Sequence, residues 1–292
     1  MMDSAKPAST AQALTDHGKI ICAKIRKDLD ADTLSIPLLP DVARQVIELI
    51  NDPDSNASQL AKLIQSDQAL AGHVMRVANS AAYSPTASLV SLQQAIARLG
   101  MGMIGDICLS ISTGTKLFKV PGFEQYIQQL WRQAVLTALW SKEISRCIRR
   151  NVESAFLCGL LHSIGKPVTL QLCLDQAKRM EYEIDAREVH QIVAELHQDV
   201  GVSLLQRWQL PAIIVEAIQY FADYAQAPNY HDLAATITAA AFIADHHDSG
   251  NQDEDTMAQC AALAAINFYR DEIAGLLDKR EQVSLALESL CH

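Results

Sequence analysis

The chain has 292 residues, 49% hydrophobic and 20% charged, so it can bury a large core and is too apolar to be a disordered protein. Its formal net charge of −10 repels nucleic-acid phosphates, and aromatic residues are only 5% of it, which argues against a β-sandwich or barrel. No uninterrupted apolar run reaches the roughly 18 residues of a membrane span, and the polar N-terminus lacks a secretory signal. The sequence therefore predicts a cytoplasmic protein that binds neither membranes nor nucleic acids.

The first third of the chain shows apolar residues at helical spacing, separated by proline-rich and polar breaks. Residues 1–14 read as a frayed tail, and a first helix is expected over 15–31 with Ile20, Ile21 and Ile25 on one stripe. After an extended connector at 36–40, further helices are expected from Asp41 to Ile50 and beyond Ser55 and Asp67, before a turn-rich break at 78–85. In that break, Asn79 is a candidate to hold the turn by bonding local backbone.

A helix, a turn at Gly100 and a second helix are predicted over 91–112. This order of elements resembles a DNA-binding helix-turn-helix. The second helix, however, carries Met103, Ile104, Ile107 and Leu109 where a DNA reader needs Arg, Asn or Gln. Two packed core helices are therefore the favoured interpretation.

The rest of the chain is also predicted to be helical, and no segment shows sustained two-residue alternation. An apolar helix over 153–163 is expected to stop at Gly165 and Pro167, and an acidic linker is expected from Asp248 to Asp255. The predicted fold class is all-α. The other expected helices span 124–149, 168–182, 186–207, 211–225, 232–247, 256–268 and 272–290.

The seven cysteines are scattered, and no pair has C-x-x-C spacing. Neither a zinc knuckle nor a disulfide framework is indicated, and most of the cysteines are expected to be small core residues. The basic run Arg146, Arg149 and Arg150 is expected to be a solvated helix end.

The segment Leu160-Leu161-His162-Ser163-Ile164-Gly165-Lys166 carries the strongest chemical signal. A His-Asp dipeptide at such a helix end can direct an imidazole and a carboxylate at one divalent metal, and a lysine beyond it could neutralise a phosphate. Here the second position is Ser163, which is uncharged and a poor metal ligand.

Several motifs occur in an order and spacing that resemble the HDOD family, a non-catalytic-looking branch of the HD-domain metal-dependent phosphohydrolases. The resemblance covers roughly residues 35–245 and implies an HD-like helical bundle with an N-terminal helical subdomain and extra C-terminal helices. The motifs are Pro37-Leu38-Leu39-Pro40, Val77-Ala78-Asn79-Ser80-Ala81-Ala82-Tyr83, Ser91 to Gly100, Leu130-Trp131-Arg132-Gln133, Gly159 to Lys166, His197-Gln198-Asp199-Val200-Gly201 and Trp208-Gln209-Leu210-Pro211.

The resemblance also implies that most of the family's metal ligands are missing. Gln133 stands where a catalytic enzyme has a histidine, Ser163 replaces the aspartate of the His-Asp pair, and Tyr220-Phe221 replace two further histidines. Three ligand-type residues remain, which are His162, His197 and Asp245, with Lys166 as a possible phosphate contact. Too few donors remain for a divalent site, so no metal cofactor and no metal-activated water are expected.

Simpler interpretations of these residues stay open. His162 and His197 could be semi-buried histidines that brace the fold, and Lys166 could be a helix-end cation. His190 lies seven residues before His197 and could share its helix face. The literal His247-Asp248 dipeptide is expected to be a solvent-exposed helix terminus rather than a ligand site.

The resemblance divides the chain into residues 1–34, an HDOD domain over 35–245 (35–120 and 121–245), and 246–292. It implies a bacterial signal-transduction output or scaffold module that acts through protein–protein contacts with signalling proteins, with a homodimer or a nucleotide ligand as possibilities. The alternative is a divergent phosphohydrolase that acts on a nucleotide or cyclic dinucleotide with Fe, Mn or Zn held by His162, His197 and Asp245.

Overall fold

The computed structural model describes residues 14–34, 39–83, 89–112, 120–247 and 253–291. Within these ranges the regular structure is sixteen α-helices and one 3-10 helix, without a β-strand, which confirms the all-α class. The expected N-terminal tail, most of the connector at 36–40 and most of the acidic linker lie outside the described residues.

Side-chain caps begin most of the helices in the N-terminal part. Thr15 and Asp67 each accept a hydrogen bond from the first turn, and Asn56 forms a reciprocal capping box with Gln59. Asn79 holds the turn after the fourth helix as expected, because its side chain pairs with the Leu89 backbone N–H at 2.6 Å and carbonyl at 2.9 Å. The helices are α1 Asp16–Asp30, α2 Asp41–Asn51, α3 Ala57–Gln65, α4 Gln68–Ala78, α5 Leu92–Leu99 and α6 Met101–Ser112.

The bend between α5 and α6 is 117° and lies at Gly100, whose φ of 84° favours glycine. All residues from Ile104 to Ser110 on α6 are buried. A helix buried on every side has no face left to enter a DNA groove, which supports two packed core helices.

The HD-like part is built around one long central helix. Its elements are α7 Glu124–Cys147, α8 Val152–Leu161, α9 Gly165–Arg179, α10 Ala186–Arg207, α11 Ala212–Gln219, a 3-10 helix Phe221–Gln226 and α12 His231–Asp245. Helix α7 packs against α8 and α12, and α10 packs against α9, α11 and α1. This arrangement places the C-terminal ends of α8 and α12 beside the middle of α7.

The helix expected over 153–163 does end before Gly165, at Leu161, but Gly165 and Pro167 are not what stops it, because they lie in the first turn of α9. Proline is tolerated there, since first-turn N–H groups have no partner within the helix. The stretch Val152–Arg179, which contains α8 and α9, is long enough and apolar enough to span a membrane. However, 83% of its apolar window is buried inside the fold, as in the core helix of a globular domain.

Two other expectations about helices are also corrected. Ile20 does not share the buried stripe of Ile21 and Ile25, because its side chain is 54% exposed.

The last part of the chain forms four short helices instead of two long ones, because turns at 258–260, 266–269 and 278–279 interrupt the helical pattern. These are α13 Glu254–Met257, α14 Ala261–Ala265, α15 Arg270–Leu277 and α16 Arg280–Cys291.

The C-terminal helices pack on the rest of the chain. Helix α16 contacts α7 and α6, α14 contacts α12, and the Ser289 hydroxyl lies 2.8 Å from that of Ser80. A single cluster of buried apolar residues runs from Ile21 to Leu290. The whole described chain therefore shares one core.

Candidate functional site

His162 caps the C-terminal end of α8, where it is only 7% exposed. Its Nδ1 donates to the Gly159 carbonyl oxygen at 2.7 Å, which assigns the lone pair to Nε2. Burial first, and then the charges of Lys166 and His197, lower the pKa of His162 to about 4, although the hydrogen bond to Gly159 acts in the opposite direction. The imidazole is therefore neutral at physiological pH.

His197 lies on α10, next to the first turn of α9. Its Nδ1 donates to the Val193 carbonyl oxygen at 3.0 Å. Burial first, and then Lys166, lowers the pKa of His197. Both surviving histidines thus hold their rings by backbone hydrogen bonds, as the simpler interpretation of them anticipates.

Asp245 ends α12, and Gln133 reaches it from the middle of α7. The Gln133 Nε2 donates to the Asp245 Oδ1 at 2.6 Å. Partial loss of water raises the pKa of Asp245, while His246, Lys166 and the Gln133 hydrogen bond act in the opposite direction. The family resemblance implies a metal-ligating histidine at position 133. The residue there is Gln133, and its amide donates a hydrogen bond to Asp245.

Lys166 affects the ionisation of all three ligand-type residues, His162, His197 and Asp245. Its positive charge lowers the pKa of His162, His197 and Asp245. The fold thus brings the four predicted site residues into one region. An ammonium group in that region repels any divalent cation.

Two more positions at which the family resemblance implies lost metal ligands hold Ser163 and Phe221, a poor ligand and an aromatic residue. Ser163 is 6% exposed, and the ring of Phe221 lies edge-on to that of His162 with centroids 5.3 Å apart. The Phe221 carbonyl accepts a hydrogen bond from the Thr238 hydroxyl, which anchors the 3-10 helix on α12. Aromatic carbon therefore packs against the His162 imidazole.

The residues present do not fit a divalent metal. In the part of the chain that the structure describes, no three His, Cys, Asp or Glu side chains lie close enough together to hold a metal ion. Asp245 is bonded by the Gln133 amide, and the positive charge of Lys166 lowers the pKa of His162, His197 and Asp245. The prediction that no metal binds remains to be tested by experiment.

Gly165 positions this region by allowing α9 and α10 to touch. A Cβ at Gly165 would collide with the His197 carbonyl oxygen and would lie 2.8 Å from the Gly201 nitrogen. Only glycine fits such an approach. The sequence motif contains Gly165, but nothing in its pattern reveals the partner.

The family-model comparison decides the family, because a model of the HDOD domain matches residues 36–224. The chain belongs to the HDOD domain family. An HDOD domain protein of unknown function from Geobacter sulfurreducens has a similar fold, with 20% identity, a TM-score of 0.69 and coverage of 93% of this chain and 97% of that one. A Shewanella amazonensis SB2B protein, provisionally named a metal-dependent phosphohydrolase, has 23% identity, a TM-score of 0.70 and coverage of 94% and 100%.

Two further relatives of this HDOD chain extend the comparison. A Marinobacter aquaeolei VT8 protein, provisionally named a signal transduction protein, has 20% identity and a TM-score of 0.66, over 99% of this chain and 69% of that one. An uncharacterized protein from Treponema pallidum is 26% identical in an alignment that covers 70% of this chain. The chain spans 41% of that relative's length. At these identities, the solved structures establish the fold alone.

Of the His247-Asp248 dipeptide, Asp248 lies outside the described residues, and His247 is not the exposed helix terminus that the sequence suggested. His247 is 3% exposed, with its ring edge-on to Trp140 at 5.8 Å and its Nε2 3.0 Å from the Ser284 hydroxyl on α16. The expectation failed because α16, which begins 33 residues after His247, covers this end of α12.

His190 is exposed and packs edge-on against Tyr126, and not with His197.

Proposed function

We propose that this HDOD protein is a signal-transduction output or scaffold module without hydrolytic activity, and that it acts by binding other signalling proteins in the cytoplasm. The Gln133–Asp245 hydrogen bond carries the proposal, because the position where the family resemblance implies a histidine ligand holds an amide that donates to one carboxylate oxygen of Asp245. The cation of Lys166 and the aromatic cover of Phe221 on His162 add to it.

The absence of catalysis follows from the donor count. Hydrolysis of a phosphoester in such a pocket needs a metal that lowers the pKa of a bound water and polarises the phosphoryl oxygen. His162 and His197 can each offer one nitrogen, and Asp245 offers a carboxylate already bonded at 2.6 Å to Gln133. Without a bridging carboxylate at position 163, these groups do not form a divalent site.

The experiment measures metal content and turnover on the same preparation. Protein purified without chelator is analysed for Fe, Mn and Zn, and is then incubated with added Mn²⁺ and a panel of nucleotides and cyclic dinucleotides. We expect less than about 0.1 metal per chain and no turnover above buffer. Stoichiometric metal, with turnover that disappears in His162→Ala, would establish the divergent phosphohydrolase instead.

A gain-of-binding variant sharpens this test. The double substitution Gln133→His and Ser163→Asp returns an imidazole and a carboxylate to the region, so we expect it to bind Mn²⁺ or Zn²⁺ at least tenfold more tightly than the original chain. The matched control is Gln171→His, which adds a histidine to α9 away from this region. Equal metal binding by the original chain and the double variant would contradict the proposal.

A further inference from the structure

The C-terminal helices form an open apolar cavity apart from the degenerate metal region. Its volume is about 370 Å³, and it lies between α14, the turn at 266–269 and the start of α15. This volume is at the lower end of the range of roughly 300–1,000 Å³ that ligand pockets cover. The cavity therefore has room for one or two large apolar side chains.

The floor of this cavity belongs to the core of the protein. Leu263 of α14, Phe268 of the turn and Ile273 of α15 form it, and each is at most 2% exposed. Because these residues also pack in the main apolar cluster, the shape of the floor is fixed by the fold. A side chain that enters the cavity gains contacts without first ordering the wall.

The open side of the cavity also carries apolar atoms. The Tyr269 side chain is 58% exposed and is the only aromatic one among the exposed large hydrophobic side chains of the described residues. Ala258 and Ala264 line the cavity beside it and are exposed as well, and their small side chains allow another backbone to approach closely. Exposed tyrosine beside a preformed cavity is typical of the centre of a protein interface.

Carboxylates border this apolar area. Between residues 253 and 273 the chain has five acidic residues and one basic residue. The basic residue, Arg270, pairs with Asp255 at 2.6 Å, which brings the acidic first turns of α13 and α15 together and neutralises the cation. The sign of the surface is then set by the four remaining acidic residues, Asp253, Glu254, Asp271 and Glu272.

These charges decide which partner the area fits. A second copy of this chain, with a formal net charge of −10, is repelled by the same carboxylates, and so are nucleic acids and anionic membranes. A small molecule needs polar groups inside a cavity to fix its orientation, whereas the charged residues of the described lining, Arg270 and Asp271, lie at the exposed edge. A protein segment that is both basic and apolar matches the area in charge and in packing.

We propose that the C-terminal surface, defined as this cavity with the carboxylates of residues 253–255 and 271–272, docks a basic amphipathic helix of a partner protein. One large apolar side chain of the partner enters the cavity beside Tyr269, and lysine or arginine residues near it on the same helix pair with Glu254 and Asp271. The inference rests on the proposed function, in which the chain acts by binding signalling proteins, and it names the chemistry of the segment that they present.

The test uses the full chain and three fluorescent peptides of about 18 residues, a length that supports a helix. The first peptide has leucine on one face and lysine on the other, the second has glutamate in place of lysine, and the third has serine in place of leucine. We expect the leucine–lysine peptide to bind with a Kd below about 100 μM by fluorescence anisotropy, and at least about tenfold more tightly than the other two.

Two variants and two controls connect the binding to the named residues. We expect Tyr269→Ala to weaken binding of the leucine–lysine peptide about fivefold and Asp271→Lys about tenfold. Ile20→Ala removes a side chain of similar exposure from α1, and Glu183→Lys makes the same change of charge before α10, so neither should alter the affinity. NMR shifts of the amides of Ala258, Ala264 and Tyr269 locate the peptide on the unaltered chain, even if a variant does not fold.

Three results would overturn the proposal. The first is that the leucine–lysine peptide binds no more tightly than about 1 mM, or no more tightly than the peptide without leucine. The second is that Tyr269→Ala and Asp271→Lys leave its affinity unchanged while the shifted amides lie elsewhere. The third is a dimer, found by analytical ultracentrifugation, that Tyr269→Ala dissociates, because a second copy would then occupy the surface.

Failure of this inference is distinguishable from failure of the proposed function. Metal content and turnover report on the region around His162, which shares no residue with the C-terminal surface. If the peptide does not bind, the chain can still be a module without hydrolytic activity that contacts its partners through another face. If the chain hydrolyses nucleotides, the measured peptide affinities are unaffected.

Discussion

At the scale of single residues, His162 is the group whose chemistry the fold changes most. Its folded-state pKa of about 4 lies below the ordinary 6.5 because the ring is buried. The folded protein therefore binds this proton less readily than the unfolded chain does. The resulting stability, up to about 3 kcal/mol, is fully present above pH 6.5 and is lost as pH falls toward 4.

An NMR titration measures this shift directly. We expect the His162 ring resonances of the folded protein to titrate with a midpoint near pH 4, and those of His197 also below the ordinary value. The same titration of a short unstructured peptide that contains one histidine serves as the reference. A His162 midpoint at or above 6.5 would mean that water or an anion reaches the ring.

The family resemblance implied which ligand positions are replaced, but not how the side chains at those positions pair. Gln133 and Asp245 were both recognised as positions of the ancestral site, and they lie 112 residues apart. Their hydrogen bond depends on the packing of α12 on α7, which no local pattern encodes. The burial of His247 was missed for the same reason, because it depends on the distant helix α16.

At the scale of elements, a buried ion pair joins α6 to α7. Asp106 and Lys142 are 3% and 5% exposed and form a direct hydrogen bond, and the Lys142 ammonium also lies 5.2 Å from the centre of the Phe156 ring. Burial raises the pKa of Asp106 to about 6 despite the attraction of Lys142. This contribution therefore favours the folded state below about pH 4 and weakens as pH rises to 6, opposite in sign to that of His162.

We expect Asp106→Asn to cost about 3–5 kcal/mol of unfolding free energy at pH 7, because it leaves a buried ammonium without its counter-charge. The double substitution Asp106→Leu and Lys142→Met should recover most of that loss, since apolar groups of similar size replace both charges. Urea denaturation provides the measurement. The control Glu48→Gln, in the exposed Arg44–Glu48 pair, should cost less than about 1 kcal/mol. A double variant as unstable as the single one would refute this account.

The contact between α9 and α10 gives a second test at this scale. Gly165→Ala should destabilise the protein by about 3 kcal/mol, because the new methyl group meets the α10 backbone, which cannot move aside. Gly72→Ala is the matched control. Nothing lies within 4 Å of a Cβ at Gly72 on α4, so that substitution should stabilise by about 0.5–1 kcal/mol. Thermal denaturation followed by circular dichroism compares the two, and similar melting temperatures would exclude a tight α9–α10 contact.

Helical spacing located the elements well wherever one apolar face was long. The central helix was expected over 124–149 and spans Glu124–Cys147, and α10 matches its expected range of 186–207. Prediction failed where helix ends depend on tertiary packing. Gly165 and Pro167 have the composition of a helix stop, but a turn before them and the contact with α10 make them a helix start.

At the scale of the whole molecule, the terminal helices belong to the same core as the central bundle. Helix α1 is held on α10 by Glu188, which accepts the Thr15 N–H at 3.0 Å, and α16 is held on the C-terminal end of α12 through Ser284 and His247. The proposed boundaries at residues 34, 120 and 245 remain predictions about sequence units. They need not be independent folding units.

A shared core predicts cooperative unfolding. We expect calorimetry of the full chain to show one transition, with a calorimetric enthalpy equal to the van't Hoff enthalpy. Two resolved transitions would mean that the helices after residue 253 or the N-terminal helices unfold separately.

Repeating the scan with EDTA should leave the melting temperature unchanged if the Gln133 amide stands in for a cation.

The bond between Gln133 and Asp245 also has a consequence for assembly of the fold. Both of its partners belong to the polypeptide, so the link forms when α12 docks on α7 and needs no external component. Its strength therefore depends on how closely the two helices pack, and any change that moves them apart weakens it.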